Sequence, residues 1–492
     1  MQHSIQQREG IPELVYRNRY VILGIILLGS FMATLDSSMV NIALPTITID
    51  YNVGLAESQW TITGYLLSMT GLFIFFGKLS EFTGKVKLFI IGWAIFTVSS
   101  LACGIAPGLY ELIVFRIVQG IGASMLSAVG GALIFEAFPP QERGKAMGLF
   151  GVVFGIGAVV GPALGGFIVD GLGWQYIFLI NVPIGVVLLA CAFKYMKIPE
   201  MTVNRLDMDW IGAVTLCISI VSLMLFCSEV ANGLTMTMPM AAYAVTSVLS
   251  FIIFLYREST CKKPLLDLSI FRNRLFTLPI LSGLLLFMPI SISNTLSPFY
   301  FEGVMGYTAS QVGLILIVVP LFMMFSAPVS GILYDKYHWK YSAAAGALVY
   351  FLGFVVFGYG LLTINFWIII AAFIIRGIGG GIFSSPNSIE TMSALPREKT
   401  ATASSVSSTI TFLSIMLGVA LSSTFLTLDL NASGYVGPIF LAGSSLLANS
   451  IGVITLGAGA FLIASSAASV LRNTMFAHTA HAEAAGETKP II

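Results

Sequence analysis

The 492-residue chain is 57% hydrophobic and 10% charged, with a mean hydropathy of +0.92. Soluble domains carry about 25% charged residues, so the composition excludes a soluble protein and predicts an all-α, polytopic membrane protein, with no nucleic-acid partner expected. The net charge of +1 says little by itself, because what matters here is the side of the bilayer on which each charge falls.

Residues 1–19 are polar and lack a small-residue cleavage site, so they read as a cytoplasmic leader. At about 20 apolar residues per crossing, helices are predicted near 20–44, 58–77, 88–106, 110–135, 145–170 and 176–195, forming a six-helix half over 20–200. An inserted pair follows near 210–230 and 238–256, within 201–264. The second half, 265–470, has helices near 275–300, 311–334, 342–362, 365–390, 402–427 and 437–468. Residues 471–492 are small and polar and predict a disordered cytoplasmic tail. With the N-terminus inside, all 24 Lys and Arg except Arg116 and Arg376 fall in cytoplasmic segments, as positive-inside topology requires. Losing or adding one helix destroys that pattern.

In the first helix, Leu35–Pro45 reads LDSSMVNIALP and places Asp36 in an apolar run with no charged neighbour. Intramembrane acids are functional by default and suit a group that takes up and releases protons; the plainer reading is an aspartate at a wide, wet helix end. Asn41 and Pro45 lie one and two turns further on, and Pro45 could simply end the helix.

Between helices 2 and 3, GKLSEFTGKVKL holds Gly77, Glu81, Gly84 and Lys85. It reads either as a solvated basic loop or as a gate in which Glu81 pairs with Arg143, or another cytoplasmic cation, in one conformation only. Helix 4 carries Arg116 inside the run LIVFRIVQGIGASMLSAVGGALIF. A buried arginine is costly and usually functional. At about 1.5 Å per residue, Asp36 lies roughly 24 Å from the inner surface of a roughly 30 Å core, and Arg116 roughly 9 Å below the outer surface. The two therefore share a depth and could interact.

Helix 5 contains Gly157, Gly161, Pro162, Gly165 and Gly166. Small residues four apart let backbones approach closely, and the proline permits a bend; plain helix packing explains the glycines equally well. Glu136, Glu229, Glu302 and Glu390 sit near predicted helix ends and read mainly as solvated.

Three landmarks recur in order: Glu81/Asp335, Arg116/Arg376 and Pro140/Pro396, at offsets of 254, 260 and 256 residues. They predict two homologous halves, with Asp335 and Arg376 as second-half counterparts of Glu81 and Arg116. The cysteines at 103, 191, 217, 227 and 261 form no CxxC pattern, so neither a metal site nor a disulfide framework is indicated. No GxxxxGK[ST] loop or catalytic cluster occurs either.

Taken together, these motifs resemble the major facilitator superfamily, and within it the fourteen-helix drug/proton antiporters of the EmrB/QacA type. LDSSMVNIALP is similar to that family's helix 1 motif, GKLSEFTGKVKL to its loop 2–3 motif, LIVFRIVQGIGAS to its helix 4 motif and GAVVGPALGG to its helix 5 antiporter motif; WQYIFLINVPIG resembles the start of helix 6 and DMDWIG that of the inserted pair. Glu81, Phe82 and Gln175 depart from the aspartate, basic residue and arginine usual at those positions. The resemblance implies that Asp36, with Asn41, contacts substrate or proton, that Arg116 supports proton coupling, and that Gly157 to Gly166 control interconversion of inward and outward states. The expected protein is a monomer of the cytoplasmic membrane with both termini inside. It would export amphipathic, cationic drugs in exchange for protons by alternating access, driven by the proton gradient with no cofactor. Export of one metabolite, lipid or siderophore is the alternative; an integral-membrane enzyme or a receptor would need polar catalytic loops.

Overall fold

The computed structural model describes residues 12–199, 209–232, 237–261, 268–337, 339–395, 400–435 and 437–484. Fourteen helices in it are long and apolar enough to cross a membrane. They are α1 (Glu13–Asp50), α2 (Trp60–Thr83), α3 (Lys85–Gly104), α4 (Leu109–Ala137), α5 (Pro140–Leu172), α6 (Asn181–Tyr195), α7 (Trp210–Asn232) and α8 (Met238–Thr260). The second half supplies α9 (Arg274–Gly303), α10 (Val318–Tyr337), α11 (Ser342–Leu362), α12 (Phe366–Ser393), α13 (Thr400–Ala432) and α14 (Ser444–Ala484). Short helical segments, Leu55–Ser58, Tyr176–Leu179 and Ala309–Leu316, lead into α2, α6 and α10. Helices dominate because a bilayer offers backbone groups no water, and a helix satisfies them within one segment.

Connections after the odd-numbered helices contain no Lys or Arg, which defines a base-free face opposite a basic one. Tyr110 and Trp367 stand exposed at the base-free helix ends, and Tyr337 and Trp339 at the basic ends, as amphipathic rings do at membrane–water boundaries. Gly84, at φ +94°, makes the tight turn from α2 to α3, a left-handed backbone that glycine adopts without strain.

The halves join mainly at the base-free face. There α5 packs on the segment leading into α10: the backbone of Gly166 meets that of Ala309, and Gly313 meets the carbonyl of Pro162. Toward mid-membrane, Phe73 of α2 and Phe412 of α13 lie with ring centroids 6.0 Å apart. The inserted α7 lies along this α2/α13 seam, where Cys217 donates to the Gly71 carbonyl and Thr424 to the Cys227 carbonyl, at 3.3 and 3.1 Å. α8 packs outside α7, through reciprocal hydrogen bonds between Ser219 and Ser247 and an Asp209–Arg257 ion pair at 3.0 Å.

Two expectations change. α1 continues past Pro45 to Asp50, because the rest of a long, buried helix outweighs the one backbone donor the proline removes. α14 continues to Ala484 where a disordered tail was expected from residue 471.

Candidate functional site

Asp36 and Arg116 meet. Arg116 Nη1 donates to Asp36 Oδ2 at 2.6 Å, and both side chains are at most 1% exposed. Asp36 Oδ1 accepts from Gln119 Nε2 at 3.1 Å and from Asn181 Nδ2 at 2.8 Å. The guanidinium also donates to the Thr61 carbonyl at 2.9 Å and to Gln119 Oε1 at 2.5 Å, and it lies 4.2 Å from the Tyr65 ring centroid. Ser100 closes the network, accepting from Gln119 at 2.6 Å and Asn181 at 3.3 Å. α1, α2, α3, α4 and α6 thus converge on one carboxylate. Removing a single partner from such a buried pair typically costs about 3–5 kcal/mol, because the other charge is left uncompensated.

Gln119, Ser100 and Asn181 were not singled out from the sequence. Gln119 stands three residues after Arg116 on α4, the spacing that puts two side chains on one helix face. Asn181, a lone amide at the start of α6, gives no such local signal. Asn41 stays outside the cluster and donates to the Ser37 carbonyl at 3.1 Å.

The helix 5 glycines have assigned partners. A methyl group at Gly157 would meet Thr34 at 3.2 Å, one at Gly165 would meet Met39 at 3.0 Å, and one at Gly161 would meet Ser38 at 2.5 Å and the Leu35 carbonyl at 3.5 Å. Leu35 and Ser38 flank Asp36. Helix α5 therefore touches the Asp36 stretch of α1 on one side and, through Pro162 and Gly166, the second half on the other.

The expected gate residues do not assemble into one site. Glu81 pairs with Lys78 on its own helix at 2.6 Å, both partly exposed. Arg143 donates instead to the Phe138 carbonyl at 3.0 Å, Lys85 pairs with Glu136, and Arg19 pairs with Glu142 at 3.0 Å. Nothing lies within 4 Å of a methyl group placed at Gly77, so packing does not require that glycine here. The Asp335 side chain and residues 396–399 lie outside those described. Glu390, expected to be solvated, is 1% exposed and pairs with Arg472 of α14 at 2.8 Å.

Arg376 is not the spatial counterpart of Arg116. Gly120 and Gly122 of α4 press on the backbones of α2 and α3, and Gly377 and Gly379 of α12 press in the same way on α10 and α11. Those glycines match at an offset of 257, which aligns Arg116 with Phe373 and Gln119 with Arg376, one helical turn on. Gly161 on Ser38 and the Leu35 carbonyl is likewise repeated by Gly418 on Ser291 and the Met288 carbonyl, which aligns Asp36 with Pro289. The second half carries neither member of the charge pair at these positions. Arg376 is buried among the rings of Tyr350, Phe354, Phe357 and Phe373 and donates to the Tyr350 hydroxyl at 3.3 Å.

The family model of the Major Facilitator Superfamily matches residues 26–419. Riboflavin transporter RibZ of Clostridioides difficile is 34% identical over 411 residues, covering 83% of this chain and 88% of the relative. Multidrug export protein EmrB of Haemophilus influenzae is 29% identical over 401 residues, covering 80% and 78%. Among solved structures, a bacterial homologue of the human lysosomal transporter Spinster, inward-facing and unoccupied, superposes with a TM-score of 0.66 at 14% identity, covering 94% of this chain and 98% of its own. Glycine contacts repeated in both halves, fourteen crossing helices and these similarities have one explanation: the chain is a transporter, and it belongs to the Major Facilitator Superfamily.

Proposed function

We propose that this protein exports amphipathic solutes in exchange for protons, with its basic face in the cytoplasm and Asp36 as the coupling carboxylate. The observation that carries the reading is the seat of Gly161 on Leu35 and Ser38, the neighbours of Asp36. Rocking of the halves opens or closes the α5–α10 contact; because α5 bears on α1 through bare backbone, that motion is transmitted to the Asp36–Arg116 pair. In this reading the coupling step is an exchange of partners at that carboxylate, Arg116 in one state and a proton in the other. Multidrug relatives such as EmrB support a broad substrate range.

The reading drops the expectation that Asp36 recognises a cationic substrate directly. Both carboxylate oxygens are occupied by Arg116, Gln119 and Asn181 in this conformation, which leaves no free counter-charge. Export of a single neutral metabolite is the second reading, and the riboflavin transporter among the relatives favours it.

The deciding experiment is substrate-induced proton release from purified protein in detergent. The parent releases protons on adding a transported compound and the Asp36→Asn variant does not. Equal release by both removes Asp36 from the coupling step.

A further inference from the structure

The second half contains a small polar cavity, of about 110 Å³, between α9, α12 and α13. Ser384, Asn387, Ser388, Ser407 and Thr411 line it beside Phe287, with no charged side chain in its wall. Asn387 Oδ1 is buried with no hydrogen-bond partner, and Ser388 on the rim is exposed. The four hydroxyls and the amide are the donors and acceptors that this space offers to a guest.

The pseudo-symmetry shows that this space is not an accident of packing. At the offset of 257 set by the glycine contacts, Asn387 corresponds to Gly130 and Ser407 to Phe150. In the first half the Phe150 ring fills the equivalent space, 3.6 Å from a methyl group placed at Gly130, with Ile26 beside it. One half closes the junction with an aromatic ring; the other replaces that ring with a serine hydroxyl and faces it with an amide. Phe412, next in the chain to the lining Thr411, lies with its ring centroid 6.0 Å from that of Phe73 in α2, so the cavity is near the boundary between the halves.

We infer that this cavity is a substrate subsite that takes a neutral, hydroxyl-bearing group of the transported solute. Serine, threonine and asparagine each both donate and accept, as hydroxyl groups do, and a wall without charge gives no advantage to an ammonium or a carboxylate. The volume corresponds to roughly three or four waters at about 30 Å³ each, enough for the hydroxyl-bearing end of a polyhydroxy chain and too small for a whole drug-sized molecule, whose remainder would lie between the halves. Sites built to hydrogen-bond a hydroxyl discriminate strongly against analogues that lack it.

The assignment rests on the transport reading above, and the test separates the two. Binding to the purified full chain is measured for riboflavin, which bears a polyhydroxy chain, for lumiflavin, which has the same ring with a methyl group in its place, and for tetraphenylphosphonium, a cation without hydrogen-bonding groups. The parent should bind riboflavin at least about tenfold more tightly than lumiflavin. Ser407→Phe, which restores the filling seen in the first half, should abolish that margin, and the milder Asn387→Ala should reduce it. Equal binding of the two flavins by the parent, absence of riboflavin binding, or a margin that survives Ser407→Phe overturns the subsite. Tetraphenylphosphonium binding should be the same in parent and variants, which confirms that they are folded; a parallel loss of all three ligands in Asn387→Ala also overturns it. Proton release on adding tetraphenylphosphonium reports on the transport reading independently of the flavin result.

Discussion

Asp170, near the base-free end of α5, accepts the backbone N–H of Ser310 at 2.8 Å and that of Ala309 at 3.2 Å, so a carboxylate of the first half caps a helix of the second. The first turn of any helix leaves N–H groups unpaired and carries partial positive charge. Most caps are local, whereas this one spans the two halves and must be lost when they separate at that face.

Asp170→Ala should therefore weaken closure of the base-free face by about 0.5–2 kcal/mol, the usual worth of a cap. Spin labels at Gly171 and Gln311 report the separation directly: a larger open population is expected in the variant. An unchanged distance distribution would show that the cap contributes nothing to closure.

At the buried pair, Arg116→Ala leaves Asp36 without its cation and should destabilise the protein by about 3–5 kcal/mol. Asp36→Asn faces Arg116, Gln119 and Asn181 with a group that is half donor, so it too loses stability. Because the double variant Asp36→Asn/Arg116→Gln removes both charges, it should melt above Arg116→Ala while remaining unable to drive uphill efflux. A double variant less stable than Arg116→Ala would mean that the amide network, and not the charge pair, holds the site.

Two glycines of α5 give opposite expectations. Gly161 is pressed on Ser38, while a methyl group at Gly155 would meet nothing within 4 Å. Gly161→Leu should block transport with little loss of expression, and Gly155→Leu should transport normally. Equal activity in the two variants would dissociate α5 packing from the transport cycle.

Burial sets apart two salt bridges near the basic face. Arg472 pairs with a Glu390 that is 1% exposed, so Arg472→Ala should lower the thermal midpoint clearly, by the several kcal/mol typical of an orphaned buried charge. Lys78 and Glu81 are 35% and 49% exposed, and Lys78→Ala should leave the midpoint nearly unchanged, as is typical of exposed pairs. A fluorescence melting curve in detergent decides both.

Orientation is checked by single cysteines. A cysteine at Lys340 should react with an impermeant reagent only in inverted vesicles, and one at Gly306 only in intact cells. The reverse result would invert the topology on which the proposed direction of export depends.

The sequence by itself determined the fourteen crossings, the basic and base-free faces, and the common depth of Asp36 and Arg116. All of these follow from the free energy of moving each residue into a bilayer, which is a property of the segment and its flanks and needs no knowledge of neighbours. It also showed that α5 must touch something closely, because glycines four apart expose bare backbone. Only the tertiary structure decided what it touches: α1 on either side of Asp36, and α10 through Pro162 and Gly166. The same holds for Gln119, Ser100 and Asn181, which join Asp36 from three different helices, and for Glu390, whose partner Arg472 is remote in sequence. Arg376 marks the limit most clearly. Its apolar surroundings in the chain match those of Arg116, yet the glycine contacts set α12 one turn out of register with that match. Hydropathy is nearly blind to a shift of one turn, which leaves a residue on the same helix face; interlocking backbones fix it.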